Sequence, residues 1–547
     1  MHIVQSKFTV RGKTYVKTLL RTSFREGGKV KKKTIANLTN WPDEDLAAFK
    51  FALEHKKDLG AIELNPTIQD KVNISVGKSV GAVWVIYEMA KKLGITQALG
   101  SDWQGQLALW QVIARVQDQG SRLSAVRLGE MHAIADVIGL QRGFDENDLY
   151  ENLHWLADNQ SKIERNLFHK KKRSPSLFLY DVTSSYLEGM KNELADWGYN
   201  RDKKKGKKQI VIGMLADEDG DPLSTQVFKG NTQDTVTFIP QIHKVMHFFE
   251  CKNVTFVGDR GMIKKVQIQA LEKFGMHYIT AITKPQIEKL MRDNVIKYEL
   301  FDEQVFEVMH EGIRYVLKRN PVRAKECRQA REDKKNSVQK TVNKQLAYLN
   351  EHPKASRKKA LTEVRKKLKK LNVEAWLALG EKDFKLSIDE KVLAEESLLD
   401  GCYVIKTDVP EITAQAIHDR YKELAHVEWG FRTCKSDLEL RPIFVRCAES
   451  TYGHVVVVML AYMIIRELDK AWEKLYLTTQ EGLNSLAGVS LLEVSVGNRA
   501  TYQEIAKPTG KNKQMLAALG LELPPVLQKS QARVVTKVAR RKTASKA

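Results

Sequence analysis

Residues 176–181 read Ser-Leu-Phe-Leu-Tyr-Asp, an apolar run that ends at the carboxylate of Asp181. A second run, 254–258, ends in the same way at Asp259. Apolar runs this short, bounded by polar residues, are typical of strands buried on both faces of a sheet. If the two strands are neighbours, both carboxylates lie at one edge of that sheet, where oxygen ligands can bind divalent cations.

A third carboxylate, Glu428, lies far downstream among residues 421–435. Tyr421, Glu428 and Lys435 are seven residues apart, about two helical turns each, so the pattern predicts one helix with these side chains on one stripe and Arg432 close to it. A second stripe is apolar and predicts the face that packs on the core; it comprises Val427, Phe431, Cys434 and Leu438. For this helix alone, solvated charges would explain the pattern equally well.

The composition indicates a large globular protein with an anionic partner. The 547 residues are 43% hydrophobic, and 89 Lys or Arg against 67 Asp or Glu give a formal charge of +22. A chain of this length can bury a sizeable core and divide into several units. The excess of cations favours nucleic acid as the partner, with an anionic membrane as the second choice.

Nothing in the sequence favours export or membrane insertion. The most apolar stretch, 455–465, is predicted to be a buried helix because it is too short to cross a bilayer. The N-terminus shows no export signal. Five scattered cysteines without a Cys-x-x-Cys pair argue against a disulfide framework and against structural zinc. We therefore expect a cytoplasmic protein.

Two regions precede the first apolar run. Residues 1–65 are predicted to form a β-rich basic arm with a turn at Gly27-Gly28. Residues 75–172 follow a helical period and end in the cationic run 169–173. This helical region could bind DNA, or its helices could simply pack on the core, and the sequence supports both readings about equally.

Residues 174–284 predict an α/β fold built on a mixed sheet flanked by helices. Three strands separated by tight turns predict an antiparallel meander, and two further strands alternate with helices as in a parallel sheet. The predicted strands are 177–180, 209–215, 224–228, 254–257 and 278–282.

A large insertion, 285–400, is predicted to interrupt this core. It begins with strand-like segments at 304–309 and 314–318 and continues as a long basic helical stretch, 322–371. The sheet pattern resumes at Cys402, within a second core segment, 401–475. Residues 476–547 are predicted to form a helical region and a basic tail. The end of that tail, 529–547, carries seven Lys or Arg and no acid, so we expect it to be disordered and able to contact DNA.

These motifs together resemble the bacterial insertion-sequence transposases of the DDE type, which have a ribonuclease-H-like core. The resemblance covers about residues 174–445. It rests on the segments 179–183, 198–202, 230–234, 257–261 and 421–443. The family signature is Tyr-x₂-Arg-x₃-Glu-x₆-Lys, where x is any residue. Tyr421, Glu428 and Lys435 fit this signature, but Leu424 stands where the family has Arg.

The resemblance implies a two-metal site that cuts and joins DNA. Asp181, Asp259 and Glu428 would hold two Mg²⁺ ions, for which Mn²⁺ can substitute. Tyr421 and Lys435, with Arg432 nearby, would contact the phosphates of the transposon ends. The partners would be double-stranded DNA, as transposon ends and target, and a second copy of the chain. The reaction would be cut-and-paste transposition on the bacterial nucleoid.

A basic loop lies between the first two core strands. It contains Lys203, Lys204, Lys205, Lys207 and Lys208. These cations could clamp DNA phosphate near the site, or they could be an ordinary solvated loop.

Two other functions remain open. A nuclease or resolvase on the same fold would cut DNA without rejoining it, whereas Lys435 and the large insertion favour a transposase. A non-catalytic regulator derived from a transposase would bind DNA, but such a protein usually lacks one of the carboxylates. RNA binding would explain the charge, but the sequence lacks an aromatic RNA-binding motif.

Overall fold

The computed structural model describes residues 1–10, 13–26, 29–54, 72–171, 173–199, 201–202, 204–496 and 500–539. The predicted turn at Gly27-Gly28 and Lys203 of the basic loop lie outside these ranges. The described strands are β1 (His2–Val10), β2 (Lys13–Glu26), β3 (Lys29–Asn37), β4 (Val72–Ser79), β5 (Leu177–Tyr186), β6 (Gln209–Asp217), β7 (Pro222–Lys229), β8 (Thr255–Gly258), β9 (His277–Ala281), β10 (Phe306–His310), β11 (Ile313–Arg319), β12 (Leu377–Leu379), β13 (Leu386–Ile388), β14 (Cys402–Thr407), β15 (Ser490–Val496) and β16 (Ala500–Ile505).

The described α-helices are α1 (Asp43–Glu54), α2 (Gly81–Leu93), α3 (Ile95–Leu99), α4 (Trp103–Gln117), α5 (Arg122–Met131), α6 (Ile134–Ile138), α7 (Glu146–His169), α8 (Asp234–His247), α9 (Lys265–Lys273), α10 (Lys284–Arg292), α11 (Pro321–Glu351), α12 (Arg357–Leu371), α13 (Glu390–Ser397), α14 (Ala414–Lys422), α15 (Leu424–Ser436), α16 (Ala448–Trp472), α17 (Thr479–Ala487) and α18 (Gly510–Ala518). Short 3₁₀ turns lie at Tyr298–Leu300 and Glu473–Leu475.

An eight-stranded mixed sheet in the order β10-β11-β14-β9-β8-β5-β6-β7 forms the centre of the molecule. β5, β6 and β7 pair in antiparallel fashion, and β8 and β9 run parallel to β5. β6 is buried along its whole length, because helices cover both faces of the sheet. The prediction of an α/β fold with a mixed sheet flanked by helices is confirmed.

The two strands and the helical stretch predicted in the insertion are present, but the strands belong to the central sheet and the helical stretch is divided in two. The strand-like segments at 304–309 and 314–318 form β10 and β11, and β11 pairs with β14, so they extend the central sheet. The stretch 322–371 is two helices, α11 and α12, because Pro353 cannot continue a helix and Ser356 caps the next one. These two helices pack on each other and on Trp376 in a small core of their own.

The helical region packs on the central sheet. α16 contacts α4, α7 and β7, and its residues share one hydrophobic core with α2, α4, α7 and β6. The apolar stretch at 455–465 lies inside this helix, which runs on to Trp472 and is therefore longer than the sequence suggested. Ala448–Leu475 is the one described helical segment long and apolar enough to cross a membrane, but 78% of its most apolar window is buried within the protein.

The C-terminal region is not wholly helical. β15 and β16 form a hairpin that pairs with β4, some 400 residues earlier in the chain. The tail also differs from the prediction of disorder, because residues 529–539 lie against the helical region. The Ser530 hydroxyl donates to the Leu140 carbonyl (2.6 Å), and the Lys537 amide donates to Glu146 (2.8 Å). Residues 540–547 lie outside the described residues.

The N-terminal arm is a three-stranded antiparallel sheet in the order β1-β2-β3. β2 has 14 residues and pairs with β1 through its first half and with β3 through its second half. α1 covers the centre, where Leu20, Leu38 and Phe49 are buried. The two ends of the sheet are therefore two-stranded ribbons that extend away from this small core.

Candidate active site

Asp181 and Asp259 lie side by side on neighbouring parallel strands. β5 pairs with β8 from Leu177 opposite Thr255 to Tyr180 opposite Gly258, and the two aspartates are the next residues on each strand. β8 ends there, but β5 continues to Tyr186 and pairs with β6, so Asp181 sits within its strand rather than at its end. Both aspartates nevertheless lie side by side at the carboxyl end of β8.

The segment that carries Glu428 is broken. α14 ends at Lys422 and α15 begins at Leu424, with Glu423 between them. Tyr421 and Glu428 are therefore on different helices, and the prediction of one continuous helix is wrong. The predicted packing stripe is buried as expected, although Leu438 lies beyond the helix end. α15 packs on β5 through this buried stripe, whereas Glu428 is exposed and lines the same cleft as Asp259.

Leu424 belongs to the packing face of α15. Its side chain is 6% exposed and lies in the main hydrophobic core. It stands three residues before Val427, at a spacing that places both on one side of the helix. Leu424 thus makes an apolar packing contact at the position where the family signature has Arg.

The three carboxylates act on one another electrostatically. The pKa of Asp181 is raised to about 7, mainly by burial and also by the carboxylates of Glu428 and Asp259, against a backbone hydrogen bond from Val182 and the positive charge of Arg201. Burial also raises the pKa of Tyr421, and Asp259 and Glu428 add to that rise. Tyr421 and the three acids therefore form one electrostatic cluster, although the helix break separates Tyr421 from Glu428 in the chain.

A cleft of about 650 Å³ opens beside this cluster. Asp259, Glu428 and Tyr421 line it from the central sheet and from α14 and α15. Cations from four separate segments line it as well: Arg260, Lys284, Arg323 and Lys422. Arg323 lies in the first turn of α11, so the insertion forms part of the wall. A cleft that combines carboxylates with cations suits a substrate that carries phosphate and binds with metal ions.

The donor set matches hard divalent cations. Carboxylate oxygens are the ligands that Mg²⁺ prefers, and one or two of them commonly suffice because the ion keeps several waters. Within the described residues, no group of three or more His, Cys, Asp or Glu side chains is placed so that it could hold a metal ion. The carboxylates of Glu428 and Asp259 nevertheless add to the rise in the pKa of Asp181 that burial causes, and a bound cation would relieve their repulsion.

The sequence reasoning missed Arg201. One guanidinium nitrogen, Nη2, donates to both carboxylate oxygens of Asp234 at 2.7 and 2.8 Å. Asp234 begins α8, and its carboxylate lies near Gly261, close to the Asp259 carboxylate. Because Arg201 is also a positive neighbour of Asp181, this ion pair lies directly beside the candidate site. The motifs 198–202 and 230–234 contain both residues, but their spacing in sequence does not indicate that they pair.

Lys435 is engaged within the protein. Its ammonium donates to Oδ1 of Asp202 at 3.0 Å, and Arg441 donates to the same oxygen at 2.9 Å. The side chains of Asp202 and Lys435 are 4% and 12% exposed. Burial lowers the pKa of Lys435, whereas the hydrogen bond to Asp202 raises it. Residues 201 and 202 thus tie one loop to α8 on one side and to α15 on the other.

The other predicted DNA contacts are more accessible. Arg432, Lys205 and Lys208 are exposed, and Lys207 is half-buried. Lys207 pairs with Glu188 at 2.6 Å. The Lys204 ammonium lies 5.6 Å from the centre of the Tyr186 ring.

Comparison with known proteins gives two family matches. The model described as "Transposase DDE domain" matches residues 172–464, more than half of the chain. The model described as "IS1634 family transposase, N-terminal domain" matches residues 3–66. No curated protein matches significantly.

Two solved structures have similar chains. A piggyBac transposase synaptic complex with hairpin DNA is 10% identical with a TM-score of 0.37, over 86% of this chain and 82% of that chain. The Mos1 transposase paired-end complex with the left transposon end is 12% identical with a TM-score of 0.15, over 33% of this chain and 58% of that chain.

Proposed function

The chain belongs to the DDE transposases of insertion sequences, and from that premise we propose that Asp181, Asp259 and Glu428 are its catalytic carboxylates. The observation that carries this proposal is the parallel pairing of β5 with β8, which places Asp181 beside Asp259, together with the cleft that Asp259 and Glu428 both line. The three acids come from β5, the end of β8 and α15, and both of the others contribute to the raised pKa of Asp181. Elements far apart in sequence supply them, as expected for a site and not for local surface charge.

The same residues would hold the divalent cations. We propose two Mg²⁺ ions, with Mn²⁺ able to substitute, bound by Asp181, Asp259 and Glu428. Two such ions activate the attacking oxygen and stabilise the leaving oxygen of a phosphoryl transfer when bound. The Arg201–Asp234 ion pair would hold a compensating positive charge beside Asp181, and the open cleft would leave coordination positions for DNA phosphate and water.

We propose a ribonuclease-H-like core and a cut-and-paste reaction. An antiparallel meander followed by two parallel strands, with acids on β5 and after β8, supports this core. Joining two ends in one event favours a homodimer that holds both ends and the target DNA. The enzyme would act on the bacterial nucleoid, in the cytoplasm. The cleft cations, together with Tyr421, Arg432 and the basic loop, would position phosphates, and the helical region 75–172 would add further DNA contacts. Lys435 would position α15 through its ion pair with Asp202.

Strand transfer tests the function directly. Purified protein with Mg²⁺, a linear DNA carrying both ends of its element and a supercoiled target should yield double-strand cuts at the ends and joined products. Glu428→Gln should lose both products, because the amide keeps the size of the side chain but removes the charge that binds the cation. Products are resolved on agarose and denaturing gels.

The outcomes separate the alternatives. Cutting without joining, by the natural chain, would favour the nuclease or resolvase. Salt-sensitive DNA binding with no cutting at any Mg²⁺ or Mn²⁺ concentration would favour the regulator. Undiminished products with Glu428→Gln would remove Glu428 from the site, whatever the reaction.

Tyr421→Phe should weaken binding to the transposon end about 10-fold. The change removes only a hydroxyl, and a hydrogen bond to a charged group contributes about 1.5–3 kcal/mol. Tyr403→Phe is the matched control, because Tyr403 lines the same cleft but its hydroxyl already bonds His418 Nε2 at 2.6 Å. Fluorescence anisotropy in EDTA measures both; equal affinities for the two variants would contradict a phosphate contact by Tyr421.

A further inference from the structure

The N-terminal sheet carries a concentration of positive charge that the catalytic site does not use. Residues 1–37 contain ten Lys or Arg and one acid, Glu26. Residues 29–34 of β3 are all exposed and include four lysines. Among the described residues, no ion pair involves Lys7, Lys17, Lys32 or Lys33. Like charges this close repel one another, so a polyanion that binds them would relieve that repulsion.

The shape of this sheet leaves much of it uncovered. At one end, β1 and β2 pair alone, with Ser6 opposite Lys17 and Phe8 opposite Tyr15. The side chains of Gln5–Thr9 are exposed, as are Tyr15–Lys17 on the other strand, so both faces of this ribbon meet solvent. Phe8 and Tyr15 are 47% and 50% exposed and stack with ring centres 5.8 Å apart.

Protection of an edge strand explains only part of this pattern. Lysines on an exposed edge such as β3 prevent association with other strands. That role does not account for the exposed aromatic pair. Nor does it account for the cations on β2, because the centre of β2 pairs with β1 on one side and with β3 on the other and is therefore not an edge. A two-stranded ribbon without a covered face has little stability of its own in water, so contact with a partner would add to it.

We propose that the N-terminal sheet, residues 2–37, is a binding surface for the phosphate backbone of duplex DNA, separate from the catalytic cleft. A two-stranded β-ribbon fits the major groove of B-DNA, and its flanking cations then reach the phosphates on either side. β2 is about 45 Å long at 3.3 Å per residue, so the cations at its two ends would span more than one turn of the duplex.

This surface rests on the proposed function only in taking DNA as its partner. Binding of a 40-base-pair duplex of mixed sequence is therefore measured in EDTA, where cleavage is not required. The test variant is K7A/K17A/K32A/K33A, with two changes at each end of the sheet. The control is K252A/K273A/K370A/K474A, which removes the same charge from four exposed sites outside the N-terminal sheet and the helical region 75–172.

The test variant should bind at least about 10-fold more weakly than the control, and its plot of log affinity against log salt should be shallower by about 3. Equal affinities and slopes for the two variants would overturn the proposal, even if the transposase reaction is intact. A test variant that changes from dimer to monomer by light scattering would also overturn it, because the sheet would then bind a second copy. If the natural chain fails to cut DNA with Mg²⁺ but the test variant still binds DNA more weakly than the control, the proposed active site is wrong and the proposed binding surface stands.

Discussion

Asp181→Asn is expected to slow cleavage at the transposon ends by about 1000-fold or more and to leave DNA affinity in EDTA unchanged. Metal ions stabilise the charge that develops in phosphoryl transfer by several kcal/mol, and about 4 kcal/mol corresponds to about 1000-fold in rate. Asp181 is central among the three acids, since both of the others raise its pKa. The neutral amide would also remove this repulsion, so the fold should be as stable as that of the natural chain or more so.

Glu218→Gln is the matched control for this prediction. Glu218 is an exposed carboxylate that directly follows β6, so it tests whether any acid at a strand end of this sheet affects the reaction. Its variant should cleave at the normal rate. Single-turnover cleavage and Mn²⁺ binding are measured for both variants. Normal Mn²⁺ binding and cleavage by Asp181→Asn would show that Asp181 is not a metal ligand.

The sequence predicted the parts of the site that depend on local pattern. Apolar runs that end at Asp181 and Asp259 indicate buried strands, and the structure places those strands next to each other and parallel. The stripe from Val427 to Leu438 also indicated which side of the Glu428 helix is buried. In both the strands and the helix, the order of apolar and polar residues follows directly from which side chains are buried. A short segment is therefore enough to recognise the element.

The remaining features depend on contacts between distant residues. The break at Glu423 involves no Gly or Pro, and Glu423 itself keeps nearly helical backbone angles, so no local signal marks the break. Lys435 has the spacing of an exposed functional stripe, but Asp202 lies 233 positions away and pairs with it. β4 forms a sheet with a hairpin at the other end of the chain. Pairings of this kind follow from the whole topology, which no short window of sequence contains.

Asp202→Ala is expected to lower the free energy of unfolding by about 3 kcal/mol. Removing one partner of a buried ion pair leaves an uncompensated charge, which costs about 3–5 kcal/mol. The lower end applies because Arg441, the second cation on Asp202, is 34% exposed and can turn to solvent. Urea unfolding measures the loss. A change below about 0.5 kcal/mol, the usual size for a surface substitution, would mean that the pair contributes little.

Adding Lys435→Met to Asp202→Ala should restore much of that stability, because an apolar side chain of similar length replaces the unpaired charge. The single variant Lys435→Met then decides what Lys435 does in the reaction. If Lys435 positions α15 and the loop of Arg201, cleavage should slow while the dependence of DNA affinity on salt stays the same. If it contacts a phosphate instead, as the family resemblance implies, the salt slope should fall by about 1. The geometry favours a positioning role, because Asp202 already accepts a hydrogen bond from the Lys435 ammonium and both side chains are almost buried.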